Sequence, residues 1–358
     1  MNGMHADSCA RYLPSCGCVT PRRGFLSQLA GLGAGTLLAG CASQTPAVAV
    51  RDRIDIHHHL FSPAYVAELA KANQAPPIVK NWTVARTLDD MDKAGVATSI
   101  LSVTTPQVSF TDAANASRIA RESNEWVAKL ARDNPGRFGS FAMLPMQDAD
   151  SALRELEYAL DVLKADGIGL LTSYGTKWLG HASFAPVMNE INRRKAILYT
   201  HPTAADCCRN LQPEVPPTVV EFGTDTTRTI VDIVFSGTAA RCPDINFIFS
   251  HAGGTLPFLT ERLLKMPVLD PKLAARVPHG VLHELQRFYY DTAWSAHPGA
   301  LASLTKLVSV SQILLGSDYP YRTGADNIKG LLDYGFSEAD LKAITRGNAL
   351  RLLPKWRA

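Results

Sequence analysis

Arg53-Ile54-Asp55-Ile56-His57-His58-His59 is an apolar, β-prone run that closes on three consecutive histidines. Side chains alternate faces along a strand, so His57 and His59 are expected to project together while His58 points elsewhere. Two imidazoles side by side at a strand end suit a shared metal ion. An apolar run ending in a chemistry-bearing residue recurs along the chain, and that recurrence decides the fold.

Seven further strands are predicted, at Thr98–Val103, Arg137–Ala142, Gly167–Thr172, Ala196–Thr200, Asn246–Ser250, Phe288–Asp291 and Ile313–Gly316. Between them lie amphipathic stretches at Val84–Ala94, Asn115–Arg132, Ser151–Lys164, Phe184–Arg194, Thr227–Arg241 and Gly299–Leu307. Asp or Ser stands before several of these, as helix starts prefer. Alternation of strand and helix predicts βα units and a parallel sheet. Eight such units predict a single (β/α)₈ barrel over residues 51–358, with its functional site at the C-terminal rim. The Pro-rich Gln212–Pro217 and the stretch Met266–Pro278 are expected as irregular loops, and Glu338–Leu353 as one closing helix.

Of the 358 residues, 46% are hydrophobic and 19% charged, which suits a globular protein with a sizeable core. The net charge is +3, from 36 basic and 33 acidic residues. Arg11, Arg22 and Arg23 against Asp7 place most of that excess in the leader, so the body is nearly neutral and no nucleic-acid surface is expected. Residues 1–41 read as an export segment. Thr20–Leu26 carries a twin-arginine pattern, and the apolar run Leu29–Gly40 is short for a membrane span and rich in Gly and Ala. Leu38-Ala39-Gly40-Cys41 resembles a lipobox, with Cys41 as the lipid anchor and residues 42–50 as a tether. A periplasmic location follows, or a cytoplasmic one if the leader does not function. Beyond Cys41 only Cys207, Cys208 and Cys242 remain, which is no disulfide framework; the adjacent pair is expected as free thiols.

Predicted strand ends carry the candidate chemistry: His57 and His59; His201 in Leu198-Tyr199-Thr200-His201-Pro202; His251 in Ser250-His251-Ala252-Gly253-Gly254; and Asp318 in Gly316-Ser317-Asp318-Tyr319-Pro320. A set of three imidazoles and one carboxylate suits Zn²⁺ or another first-row divalent ion, with one position left open. Gly253-Gly254 is expected to let the backbone pass closely behind His251. Asp291 reads as either a carboxylate orienting a ligand histidine or a helix cap. His58 is expected to pack or support; His181, His279, His283 and His297 are expected at the solvated surface.

The motifs Asp-x-His-x-His, His-Pro, Ser-His-Ala-Gly-Gly and Gly-Ser-Asp-Tyr-Pro resemble the amidohydrolase superfamily, and more narrowly the branch containing aminocarboxymuconate-semialdehyde decarboxylase. Within that branch Gly180–Phe184, His201–Thr203 and Phe249–Leu256 resemble the 6-methylsalicylate decarboxylase group. The resemblance implies that His57, His59, His201 and Asp318 hold one divalent ion, zinc first and manganese second. It makes His251 the proton-handling residue and Asp318 both ligand and acid/base. The implied reaction is non-oxidative decarboxylation of a small aromatic or unsaturated acid, such as a 2-hydroxybenzoate. A carbon bearing the carboxylate is protonated, and CO₂ leaves as aromaticity returns. The alternative is a hydrolase of a lactone, ester or amide using metal-activated water. Arg228 and Arg322 are candidate partners for the substrate carboxylate and Trp294 a candidate pocket wall. A homodimer is the implied assembly.

Overall fold

A computed structural model describes residues 51–357. The export segment, the Cys41 anchor and the tether lie outside the described residues. None of the described helices is long and apolar enough to cross a membrane.

Eight parallel strands stand in chain order around the fold: β1 (Arg53–His59), β2 (Val96–Ser102), β3 (Phe138–Met143), β4 (Gly167–Leu171), β5 (Ile197–His201), β6 (Asn246–Phe249), β7 (Tyr289–Asp291) and β8 (Ile313–Leu314). Each lies within two residues of its predicted bounds. The chain running on from β8 closes the ring against β1. Ile56 N–H donates to Leu315 O at 2.9 Å, Asp318 N–H to His57 O at 2.8 Å and His59 N–H to Tyr319 O at 2.8 Å. The (β/α)₈ barrel is therefore present, and its closing seam is made by the two segments richest in candidate ligands.

Two apolar layers follow from strand alternation. Ile54, Ile56, Ile100, Phe141, Ile197, Tyr199, Ile248 and Leu314 point inward and fill the lumen, plugged from below by Ala349 and Leu353. The opposite strand faces meet the helices in an outer core that includes Leu101, Phe138, Ile168, Leu198, Phe247 and Leu315. The lumen filling makes the barrel a solid pedestal, so polar side chains on the barrel axis gather at the rim.

Three expectations need correction. The predicted helix Thr227–Arg241 is instead Pro217–Phe235 followed by a short Thr238–Arg241, with Gly237 at φ 76° breaking the run. Pro217 sits in the first turn, where its missing N–H leaves no bond unmade, and Gln212–Pro216 before it is irregular, as expected. Met266–Pro278 is largely helical: Leu256–Leu269 runs through it and Pro271–Ala274 follows, begun by an Asp270 cap on Lys272 N–H. The closing helix Glu338–Leu353 is interrupted by a π turn at Ala343–Gly347. The hairpin formed by Ser173–Tyr174 and Lys177–Trp178 was not foreseen.

Candidate metal centre

His57 and His59 converge as strand alternation requires, their Nε2 atoms 3.1 Å apart. An extra residue on β1 between Asp55 and His58 shifts the register against β2, a bulge that helps aim the strand end at the barrel axis. His201, the last residue of β5, and Asp318, in the turn after β8, complete the group. Asp318 Oδ1 lies 2.7 Å from His59 Nε2 and 3.2 Å from His57 Nε2. One ligand atom from each of the four residues lies within 4.8 Å of the other three, and all four residues are buried.

Outward hydrogen bonds set the tautomers. Nδ1–H of His57 donates to Asp291 Oδ2 at 2.8 Å, that of His59 to Ser102 O at 3.2 Å and that of His201 to Pro202 O at 2.8 Å. Each partner can only accept, so each Nδ1 carries the hydrogen and each Nε2 turns a lone pair inward. Three lone pairs and a carboxylate aimed at one buried point repel one another unless a positive charge lies among them. A proton is the minimal solution. Burial pulls the His57 imidazole down, but the Asp291 and Asp318 carboxylates outweigh it and push its pKa up to about 10. Burial holds His59 below its ordinary range and His201 well below it. Asp318, which burial alone would raise, is held well below the carboxylate range by the His57 charge and by the imidazoles of His251, His57 and His59 set against it. A divalent cation satisfies all four donors at once, and the N₃O set fits zinc and its first-row neighbours.

His251 stands beside this group rather than in it. Its Nε2 is buried without a hydrogen-bond partner and lies 3.5 Å from Asp318 Oδ2. The backbone there is held in an uncommon shape, with His251, Ala252, Gly253 and Gly254 all at positive φ (54°, 56°, 75° and 67°). The glycines serve a purpose other than the one expected. A Cβ on Gly254 would lie 2.0 Å from Gly223 O and one on Gly253 2.9 Å from the Tyr290 ring, so the close approaches are to Tyr290 and to the helix Pro217–Phe235, not to His251.

Asp291 orients rather than caps. One oxygen takes His57 Nδ1–H; the other accepts His251 N–H at 2.9 Å and Ala293 N–H at 3.0 Å. A single buried carboxylate thus aligns the His57 imidazole and the backbone of His251. Gly316 lets the chain after β8 run directly behind both groups, since a Cβ there would sit 2.7 Å from His57 Cβ and 3.1 Å from Asp291 Cβ. Asp55 ties the end of β1 to the turn that carries Asp318. It accepts His57 N–H (3.1 Å), Ser317 N–H (3.0 Å), Ser317 Oγ–H (2.5 Å) and His58 Nδ1–H (3.0 Å). His58 is therefore a supporting residue, stacked on Tyr319 at 4.8 Å.

Tyr199, Phe222, Tyr321 and Thr104 were missed as site residues. Tyr199 lies 5.5 Å below His57, Phe222 6.1 Å from His201 and Tyr321 5.8 Å from His59, ring to ring. Thr104 Oγ1 is 3.3 Å from His201 Nε2. Tyr321, three residues after Asp318, was the one with a sequence signal. Phe222 also lines a cavity of about 480 Å³ with Thr105, Tyr174 and Thr203. Arg228, expected near a strand end, instead sits mid-helix 3.6 Å from Glu221, in a groove of about 610 Å³ lined by Trp178, Val231 and Phe235 and by none of the convergent ligands. Trp294 and Arg322 both lie on rim segments, with the Arg322 guanidinium 5.6 Å from the indole centre. His181, His279, His283 and His297 are exposed, and Cys207, Cys208 and Cys242 are free thiols.

The amidohydrolase family model matches residues 54–355, almost the whole described barrel. The chain belongs to the amidohydrolase family. Among relatives of this amidohydrolase, decarboxylase yanB of Aspergillus niger is 40% identical, over 85% of this chain and 88% of its own. The 6-methylsalicylic acid decarboxylase of Penicillium expansum is 33% identical, over 85% and 96%. A solved dihydroxybenzoic acid decarboxylase from Polaromonas, with bound manganese and the inhibitor 2-nitroresorcinol, shares the fold at a TM-score of 0.76 and 24% identity, over 86% of this chain and 98% of that one.

Proposed function

We propose that this amidohydrolase is a metal-dependent, non-oxidative carboxy-lyase acting on a small aromatic 2-hydroxy acid of the 6-methylsalicylate kind. The observation that carries the reading is the inward-facing N₃O group with His251 Nε2 unpartnered beside it. Relatives at 40% and 33% identity that bear decarboxylase names support the choice of reaction.

His57, His59, His201 and Asp318 would hold the cation, with zinc favoured by the donor set and manganese the second candidate. Bound there, it supplies Lewis acidity toward the carboxylate and phenolate oxygens of the acid. His251 and Asp318 then handle the proton. One places it on the ring carbon bearing the carboxylate, the carbon–carbon bond breaks, and its electron pair restores the aromatic ring as CO₂ leaves. Asp291 keeps His57 and His251 in register, and Tyr321 and Phe222 wall the space above the ligands. Residues 1–41 are read as a twin-arginine leader with a lipid anchor at Cys41, and the assembly as a homodimer. Fractionation of cells carrying Cys41→Ala and light scattering of the purified protein test those two readings.

A screen of metal-analysed protein against 6-methylsalicylate, 2-hydroxybenzoate and 2,6-dihydroxybenzoate tests the reaction. Release of CO₂ and the matching phenol is expected. Turnover of esters, lactones or amides with none of the acids overturns the proposal.

A further inference from the structure

Trp294, on the rim segment after β7, is 54% exposed, yet its backbone is held at φ 53°. A bulky residue rarely adopts that conformation, and when it does the surroundings must impose it. No buried packing explains an indole left in water. Its position is fixed by the centre: it follows Asp291 by three residues, so the two Cα atoms lie at most about 11 Å apart. Asp291 itself is anchored to His57 and His251.

Arg322 approaches the same point from the other side of the mouth. It comes directly after Tyr321, whose ring is 5.8 Å from that of His59, and its backbone N–H donates to Asp318 O at 3.3 Å. Its guanidinium rests over the Trp294 ring at 5.6 Å. Arg209 and Arg228, on the segment after β5, both have acidic neighbours. Arg209 bonds Asp206 at 3.1 Å, and Arg228 lies 3.6 Å from Glu221. Arg322 has no side-chain hydrogen bond and no ion pair among the described residues. The centre behind it contains three buried carboxylates, Asp55, Asp291 and Asp318.

We propose that Trp294 and Arg322 form an acid-capturing lip at the mouth of the metal centre. The planar guanidinium pairs with the carboxylate of an incoming aromatic acid, and the indole offers its ring a flat apolar face. The lip selects anionic, flat molecules and acts on binding, so both are specificity residues rather than catalytic ones. The proposal rests on the carboxy-lyase reading and deepens it.

Kinetics and calorimetry on the metal-loaded full chain test it. For 6-methylsalicylate, Arg322→Ala is expected to raise KM about tenfold, the share of one charge-assisted contact at an open site, with a much smaller change in kcat. Arg322→Lys, which keeps the charge and loses the fork, falls between the two. Trp294→Ala raises KM alike, and the double variant is no worse than Arg322→Ala because the two act together. In Arg322→Ala, inhibition by the neutral phenol product stays as in the wild type. Binding of 2-hydroxybenzoate by calorimetry reads the lip without turnover. Weakened binding in Arg322→Ala while the wild type turns over no acid refutes the carboxy-lyase reading and leaves the lip standing. Equal affinity and equal KM across wild type, Arg322→Ala and Trp294→Ala overturn the lip. So does a change of solution mass in the variants with KM unaltered, which would make the pair a contact between chains.

Discussion

Asp291→Asn is the most informative single change at the metal centre. The wild-type carboxylate accepts three hydrogen bonds, from His57 Nδ1–H at 2.8 Å, His251 N–H at 2.9 Å and Ala293 N–H at 3.0 Å. Asn keeps one acceptor oxygen, which the two backbone N–H groups retain. Its amide NH₂ then faces His57 Nδ1, donor against donor. The conflict is relieved if His57 moves its proton to Nε2, which removes the lone pair that faces the other ligands. Changes to such an orienting partner typically weaken metal binding by about 10–100-fold, or roughly 1.4–2.7 kcal/mol. Asp291→Ala is a poorer probe. It strands three buried donors at about 1–3 kcal/mol each, a sum comparable with the whole stability of a domain. Competition against a chromophoric chelator measures the affinity directly, and a thermal melt of the metal-free variant checks that it remains folded. Metal affinity equal to wild type in a folded Asp291→Asn protein would refute the claim that this carboxylate sets the His57 tautomer.

Other outcomes follow from the same geometry. His57 is protonated at neutral pH in the metal-free protein while His59 and His201 are not, so binding a cation releases about one proton. Apparent affinity should therefore rise about tenfold per pH unit between pH 7 and 9, and a slope near zero by proton-release calorimetry would contradict it. The same raised pKa makes His57 a stabilising group that is fully effective below its ordinary value of 6.5 and lost as pH climbs toward about 10. The metal-free protein should thus lose up to about 1.4 kcal/mol per pH unit across that window, seen as a falling Tm that the metal-loaded protein does not share. His251→Asn should cut turnover by roughly 10²–10⁴-fold at unchanged metal content, because the residue stands outside the ligand group; loss of metal by elemental analysis would make it a ligand instead. Gly316→Ala should destabilise by about 1–3 kcal/mol and shed metal, its new methyl colliding with His57 Cβ and Asp291; a wild-type melt would refute the close approach.

Much of this centre was legible because a barrel converts sequence order into geometry. Alternation along Arg53–His59 settled which histidines share a face, and the same rule placed His201 and Asp318 on the rim. Asp291 stood open between two roles because a carboxylate at a strand end suits both; only the position of His57 and His251 relative to it decides. Long-range contacts were invisible for the same reason. Nothing local in Gly316 announces the His57 Cβ behind it, and nothing in Asp55 announces its four donors. Element bounds failed where local cues conflicted with packing. The helix expected over Thr227–Arg241 starts at Pro217 and ends at Phe235, with Ile230, Ile233 and Val234 buried in the core. That misplacement carried Arg228 with it, from an expected strand end to the middle of a helix.

The account stands most directly on the link between the bound cation and the broken bond. Metal-free protein should release no CO₂ from 6-methylsalicylate, and titration with zinc or manganese should restore the rate in proportion to bound metal, saturating at one ion per chain. Undiminished CO₂ release from the metal-free protein, or none from the fully loaded one, would contradict it.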